Sequence, residues 1–261
     1  MSGRIHVEKE GALGWLVFDH PERRNAISHE MWQALPKAAR ALDEDPAVRV
    51  VVLRGSGEVA FVSGADISEF EVRRTGGDAA ADYEATTGRA FGAISELSKP
   101  VLAMIHGFCV GGGLATALAA DLRYAADDAL FAIPAARLGL AYHPGGLEAL
   151  SSVVGPSAAK EILFTARRYR ADEGLALGLV NRVFPKAELE AGVREIAAAI
   201  AANAPLTLRS AKLVVRELGR DGAARDRAAM SESIRRCFES ADYKEGVRAF
   251  LEKRRPRFQG T

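Results

Sequence analysis

Cysteine is scarce in this chain: two residues in 261, Cys109 and Cys237, far apart and in no metal-type spacing. They leave no basis for a disulfide framework or a thiolate metal site, and a reducing compartment is expected. An excess of charge of one sign is missing too. Lys and Arg number 35 against 34 Asp and Glu, a formal net charge of +1. Nothing in that balance calls for a nucleic-acid partner. No apolar run approaches the ~18 residues that span a bilayer. The opening MSGRIHVEKEG lacks the apolar stretch of a signal peptide. Low-complexity segments and repeats of fixed period are not visible. These absences predict a soluble, cytoplasmic protein with no membrane or nucleic-acid partner and no metal site.

What is present suits a large buried core. Hydrophobic residues make up 48% and charged residues 26%, enough for one large domain or a core with a smaller appendage. Strands are expected at 4–9 and 13–19, around Gly11. Pro21 breaks the chain in HPERRNAIS (20–28). Ser28 then caps a helix whose Met31, Leu35, Ala38, Ala39 and Leu42 recur at helical spacing. VRVVVLRG (48–55) and KPVLAMIHGF (99–108) predict buried strands, with SGEVAFVSGADISEF (56–70) as a loop and alanine-rich 77–97 as a helix. DLRYAADDALFAIP (121–134) predicts two short strands turning at Asp127–Asp128. From Pro156 onward the pattern is helical: 156–166, 171–177, 186–202, 206–219, 222–238 and 242–254. Strands alternating with helices, then helices alone, predict an α/β core over 1–200 and a helical region over 201–261, divided near Pro205.

The chemistry centres on HGFCVGGGLATALAAD (106–121). Strand, three glycines, then helix is a recipe for free backbone N–H groups at a positive helix end. A P-loop needs Gly-Lys-Ser/Thr, yet Gly113 is followed by Leu114 and Ala115. A dinucleotide fingerprint needs a third glycine where Thr116 stands. Tight helix–strand packing also explains a lone glycine triplet. The second small-residue loop, FVSGADISEF (61–70), shifts the balance. Two such loops can each aim one N–H at a common oxygen, and paired donors stabilise an enolate or tetrahedral oxyanion by roughly 3–4 kcal/mol per donor.

These two segments, in this order, resemble the crotonase superfamily, also called enoyl-CoA hydratase/isomerase. HPERRNAIS is similar to its early CoA-binding turn, FTARRYRADEGLALGLVNRVF (164–184) to a later segment, and EGVRAFLEKRRPRF (245–258) to its C-terminal signature. The resemblance implies a spiral of ββα turns with a helical C-terminal region that builds a homotrimer or dimer of trimers. It implies oxyanion donors at the N–H groups of Ala65 and Gly112. It implies an acyl-CoA thioester as substrate, with coenzyme A carried on that substrate and no separate cofactor. CoA contacts fall on Arg23, Arg24, Ala26, Ser63, Ala65, Asp66 and Ile67. Phe250 and Lys253 match positions that reach the adenine and 3′-phosphate, often of a neighbouring subunit. A solvated basic surface is the alternative for Arg23, Arg24 and Lys253.

The chain departs from the family at the two glutamates with which hydratases add water. Those positions hold Ala115 and Ala135, and methyl groups transfer no protons. Tyr142 and His143, in ARLGLAYHPGG (136–146), stand where the family lines its acyl pocket. LGLAY is similar to a stretch of methylmalonyl-CoA decarboxylases in which a tyrosine serves the site, although those enzymes carry a histidine where this chain has Ala65. Tyr142 is a candidate to orient a carboxylate or a water, and His143 to titrate near neutral pH. Core packing and a solvent-facing turn are their structural alternatives. Asp66 as a helix-terminal carboxylate, Cys109 as buried packing and His106 as a satisfied strand-end residue are weaker candidates. So are Glu148 and Thr116. Three readings stay open: a hydratase or isomerase, a decarboxylase, and a non-catalytic acyl-CoA-binding protein.

Overall fold

The structure, a computed structural model, describes residues 3–70 and 77–261. Ten strands form two sheets. The chain enters through β1 (Arg4–Glu10), β2 (Leu13–Asp19) and helix α1 (His29–Glu44), capped by the Ser28 side chain. It then winds through three turns that each give one strand to either sheet. The first turn is β3 (Val50–Gly55), β4 (Ala60–Val62) and α2 (Gly77–Ser95). The second is β5 (Val101–Ile105), β6 (Phe108–Val110) and α3 (Gly112–Leu118). The third is β7 (Leu122–Ala126), β8 (Leu130–Ala132) and α4 (Pro144–Thr165). After that come β9 (Tyr169–Arg170), α5 (Ala171–Ala176), β10 (Arg182–Phe184), α6 (Leu189–Ala201), α7 (Pro205–Leu218), α8 (Arg227–Glu239) and α9 (Ala241–Leu251).

The large sheet runs β1-β2-β3-β5-β7-β10 and the small one β4-β6-β8-β9. Pairing is parallel except for β1 with β2 and β8 with β9. Both faces of the large sheet are buried, which is why β3 is apolar at successive positions. Leu16, Phe18, Val51 and Leu53 point into one core, with α1. Trp15, Val17, Val50 and Val52 point into the other, against Leu189, Val193 and Ala197 of α6. The side-chain alternation of a strand accounts for this division.

The structure departs from several of these expectations. The strand expected over 99–108 is two strands in different sheets, because the chain turns a corner at Gly107. That residue has φ +57°, and a Cβ on it would lie 1.9 Å from the Val59 carbonyl oxygen. The loop expected over 56–70 contains β4, a three-residue strand that exists because β6 pairs with it. The helix expected from Pro156 is present, but a further helical stretch precedes it from Pro144. Gly155, at φ 78° and ψ 161°, divides the two stretches. Pro144-Gly145-Gly146 has turn composition, but Pro144 at the first helical position supplies a ready φ. Within FVSGADISEF a short 3-10 turn forms at Ile67–Glu69; residues 71–76, directly after it, lie outside the described residues. Two two- and three-residue strands, β9 and β10, also interrupt the helical second half.

The buried side chain of Arg123, on β7, braces the end of the second turn. It donates to the carbonyls of Ala120 and Leu179, both at 2.8 Å. Its backbone N–H meets the Asn181 side chain at 2.8 Å. Replacing Arg123 with methionine leaves two interior carbonyls without donors. The expected result is a loss of about 3 kcal/mol, seen as a lower urea midpoint with an unchanged slope. The C-terminal helices are tied to the core by Lys212, which donates to the Lys99 carbonyl at 3.0 Å and to Asp121 at 2.8 Å. Arg49 adds bonds to the carbonyls of Ala201 and Phe258. Among the described residues no helix is long and apolar enough to cross a membrane.

Candidate active site

The second turn of the spiral places the glycine triplet against the small-residue loop of the first. Gly111 caps α3 at φ 53° and ψ −115°, a backbone state that glycine tolerates. Its N–H goes to the Ala132 carbonyl at 2.8 Å. Gly113 presses on β4: a Cβ there would stand 2.1 Å from the Val62 oxygen. Between them, Gly112 opens the helix, and a Cβ on it would stand 3.4 Å from the Ala65 nitrogen and 3.2 Å from the Trp32 ring.

Ala65 is oriented by a short parallel bridge to Ile27. Ile27 N–H donates to the Gly64 carbonyl at 2.8 Å, and Asp66 N–H to the Ile27 carbonyl at 2.9 Å. Residues flanking Ala65 therefore face Ile27, and the Ala65 N–H faces the other way, as strand alternation requires. Among the described residues, no backbone hydrogen bond outside the helices and strands uses the N–H of Ala65 or of Gly112. Thr116 reinforces the first turn of α3 by donating to the Gly112 carbonyl at 2.8 Å.

The two loops form one wall of a cavity of about 480 Å³, otherwise lined by α2 and by the segment from Ile133 to Ala149. Ala115 and Ala135 both lie in its lining. So does Tyr142, whose hydroxyl points to the Gly111 carbonyl at 3.4 Å. Gly146 makes room for that ring, because a Cβ on it would stand 2.7 Å from Tyr142. Burial, with Cys109 nearby, pushes the Tyr142 hydroxyl above its ordinary range, so it is a donor at neutral pH rather than a base. His143 is exposed and caps α4 through Nδ1, which accepts the Gly145 N–H at 3.2 Å. That bond places the proton of the neutral ring on Nε2. His143→Ala is expected to lose about 1 kcal/mol in urea unfolding, while His143→Asn, itself a good cap, retains stability.

The residues expected to hold CoA come together on one laced pair of segments, 23–27 and 63–67. Ser63 N–H donates to the Arg24 carbonyl at 3.1 Å, and its hydroxyl to the Arg23 carbonyl at 3.1 Å. Ala26 is buried in the turn, and Ile67 is 64% exposed at the cavity. Arg23 spans the pair, with its guanidinium 3.1 Å from Asp66 and 3.2 Å from the Ser68 hydroxyl. Burial opposes ionisation of Asp66, but Ser68 and Arg23 outweigh it and hold the carboxyl below its usual range. Arg24 is exposed at φ 53° and lies over the Phe108 ring, 4.7 Å from its centre. Phe250, 83% exposed, and Lys253 sit at the end of the chain and are not part of this cavity's lining.

Sequence reasoning missed Asn25, which locks this turn. At φ 57° and fully buried, it accepts from His20 N–H and donates to the carbonyls of Ser56 and Ala60. An asparagine inside a Pro-Glu-Arg-Arg turn was the available signal, since its side chain mimics backbone at positive φ. Trp32 and Tyr83 were also missed as cavity residues. They meet through the indole N–H and the phenol oxygen at 3.2 Å, a contact that crosses 51 residues of chain. Of the weaker candidates, Cys109 is buried with its thiol pushed up by that burial. His106 bonds the Gly57 carbonyl at 2.5 Å, and Glu148 is exposed.

The α/β spiral thus brings the backbones of Ala65 and Gly112 together in the lining of one cavity. The family model described as enoyl-CoA hydratase/isomerase matches residues 8–261, and the chain belongs to this family. It is 35% identical over 254 residues to crotonyl-CoA hydratase of Syntrophomonas wolfei, covering 97% of each chain. It is 36% identical to the peroxisomal Delta(3,5)-Delta(2,4)-dienoyl-CoA isomerase of Arabidopsis thaliana, covering 97% of this chain and 95% of that one. The crystal structure of an enoyl-CoA hydratase/carnithine racemase from Magnetospirillum magneticum superposes with TM-score 0.94 at 35% identity, covering 98% and 96%.

Proposed function

We propose that this protein processes an acyl-CoA thioester by holding its enolate oxygen between the N–H groups of Ala65 and Gly112. The observation that carries this is the pairing of two backbone donors from separate loops, neither engaged elsewhere in the backbone network. Negative charge that develops on the thioester oxygen meets both donors and the positive end of α3. Because the donors are backbone groups fixed by two sheets and a helix, they need no reorganisation as the charge forms. Coenzyme A lies along Arg23, Arg24, Ala26, Ser63, Asp66 and Ile67.

Ala115 and Ala135 stand where the family's hydratases carry glutamates, so two-carboxylate hydration lacks its proton carriers on this wall. The protonated Tyr142 hydroxyl serves as a donor that orients a water or a carboxylate beside the Gly111 carbonyl. A second reading, decarboxylation of a malonyl-type thioester, is favoured by the same tyrosine: loss of CO₂ generates the enolate with no base. The helices of 201–261 are proposed to build a homotrimer or dimer of trimers. The exposed Phe238, Phe250 and Leu251 on α8 and α9 support that assembly, in which Phe250 and Lys253 reach the CoA of a neighbour.

A panel of crotonyl-, malonyl- and methylmalonyl-CoA tests the reading. Turnover of at least one thioester is expected. Tight binding with no turnover of any would make this a non-catalytic acyl-CoA-binding protein. Tyr142→Phe should slow turnover by up to about tenfold, the worth of one neutral hydrogen bond, with CoA affinity unchanged. An unchanged rate removes Tyr142 from the site.

A further inference from the structure

One acidic residue lines the cavity and has no part in the mechanism above. Helix α2 turns a single face to the cavity, formed by Glu84, Thr87, Gly88, Phe91, Gly92 and Ser95. Their spacings of three and four are those of one helical stripe. Among the described lining residues, Glu84 alone is acidic. Its backbone carbonyl accepts from Thr87 at 3.0 Å, and its carboxylate enters no hydrogen bond or ion pair of the described residues.

The two glycines on this stripe strengthen the case. Glycine inside a helix costs roughly 0.5–1 kcal/mol relative to alanine. Packing does not demand it here, since a Cβ at Gly88 or Gly92 would meet nothing within 4 Å. Helical side chains lean toward the N-terminus, so a side chain at position 88 would lean back over Glu84. Gly88 leaves Glu84 uncovered on that side, open to the cavity. The opposite wall, with Ala115 and Ala135, offers no competing carboxylate.

We propose that Glu84 is the proton carrier of this cavity and that the reaction it serves is the migration of a double bond in an enoyl thioester. The proposal rests on the acyl-CoA reading above. The α-carbon C–H bond of a 3-enoyl thioester breaks, and its proton passes to a Glu84 oxygen. The electron pair enters the conjugated system as a dienolate, whose oxygen is held by the N–H groups of Ala65 and Gly112. The dienolate then takes a proton from the Glu84 carboxyl at the γ-carbon, giving the 2-enoyl thioester; Glu84 is exposed, so its carboxyl proton exchanges with solvent. No atom is gained or lost, no co-reactant is required, and one carboxylate is enough.

Glu84→Gln tests this without disturbing the fold, because the two residues have nearly equal helix propensity. Conversion of but-3-enoyl-CoA to crotonyl-CoA, and deuterium uptake from D₂O at the α- and γ-carbons, are followed by NMR. Affinity for butyryl-CoA is measured by calorimetry. The variant should lose about 100-fold or more in conversion and exchange and bind butyryl-CoA within about twofold of the parent protein. Glu84→Asp should retain part of the rate. A variant that isomerises at the parent's rate overturns the proposal. So does a parent protein that binds butyryl-CoA yet neither isomerises nor exchanges. Failure of the parent to bind any acyl-CoA overturns the acyl-CoA reading beneath it.

Discussion

Gly112→Ala is expected to fold normally and to lose thioester turnover by about 100-fold or more, the usual worth of one oxyanion donor. The added methyl would stand 3.4 Å from the Ala65 nitrogen, in the space where an oxygen must sit to meet both N–H groups. Its other neighbour, the Trp32 ring at 3.2 Å, is a side chain and can give by a few tenths of an ångström. Alanine is also the better helix former by roughly 1 kcal/mol, which offsets that crowding. The stability change should therefore remain below about 1 kcal/mol. Steady-state turnover of whichever thioester the protein accepts, read beside urea unfolding, separates the two quantities. A variant as active as its parent would show that no oxygen binds between these loops.

The neighbouring substitution, Gly113→Ala, should fail for a different reason. Its methyl would lie 2.1 Å from the Val62 oxygen, 2.8 Å from the Val62 Cβ and 2.9 Å from its carbonyl carbon. Two of these are main-chain atoms of β4, which is paired with β6 at the same level of the spiral. Relief requires α3 to lift away from the small sheet or β4 to leave its partner. Overpacking of this kind costs about 3 kcal/mol or more, far above the helix-propensity gain. The urea midpoint should drop sharply, with aggregation on expression as the extreme outcome. Activity should fall with the folded fraction rather than ahead of it. Adjacent glycines thus separate a chemical requirement from a packing one.

Much of the architecture was legible because it rests on local signals. Ser28 and the Met31–Leu35–Leu42 spacing marked α1, and the apolar run 50–53 marked a doubly buried strand. The C-terminal helices announced themselves through Pro205 and through amphipathic spacing. Strand β4 did not, since three residues have no period of their own and become a strand by pairing with β6. The first half of α4 was hidden by Pro144-Gly145-Gly146, whose composition favours a turn and whose position favours a helix start. The spiral itself escaped detection as a repeat because its turns have unequal lengths.

The site divides along the same line. Ala65 and Gly112 could be singled out because small residues before a helix leave backbone N–H groups exposed. Tyr142 and His143 both line the cavity, but their contacts diverge. Tyr142 is half-buried in the lining, while His143 turns its Nδ1 to the Gly145 N–H as a helix cap. Glu84 gave no local sign, being one acidic residue in an alanine-rich helix; only the packing of α2 across the cavity sets it apart.

The amino-acid sequence by itself marked the longer strands and helices and the glycine-rich segments, and its motifs carried the resemblance to the family. Those features depend on composition, period and spacing within a few residues. The tertiary structure alone decided which backbone groups and which acidic residue line one cavity, and which glycine is pressed against β4. Each of these depends on atoms brought together from segments tens of residues apart, and no local pattern encodes that distance.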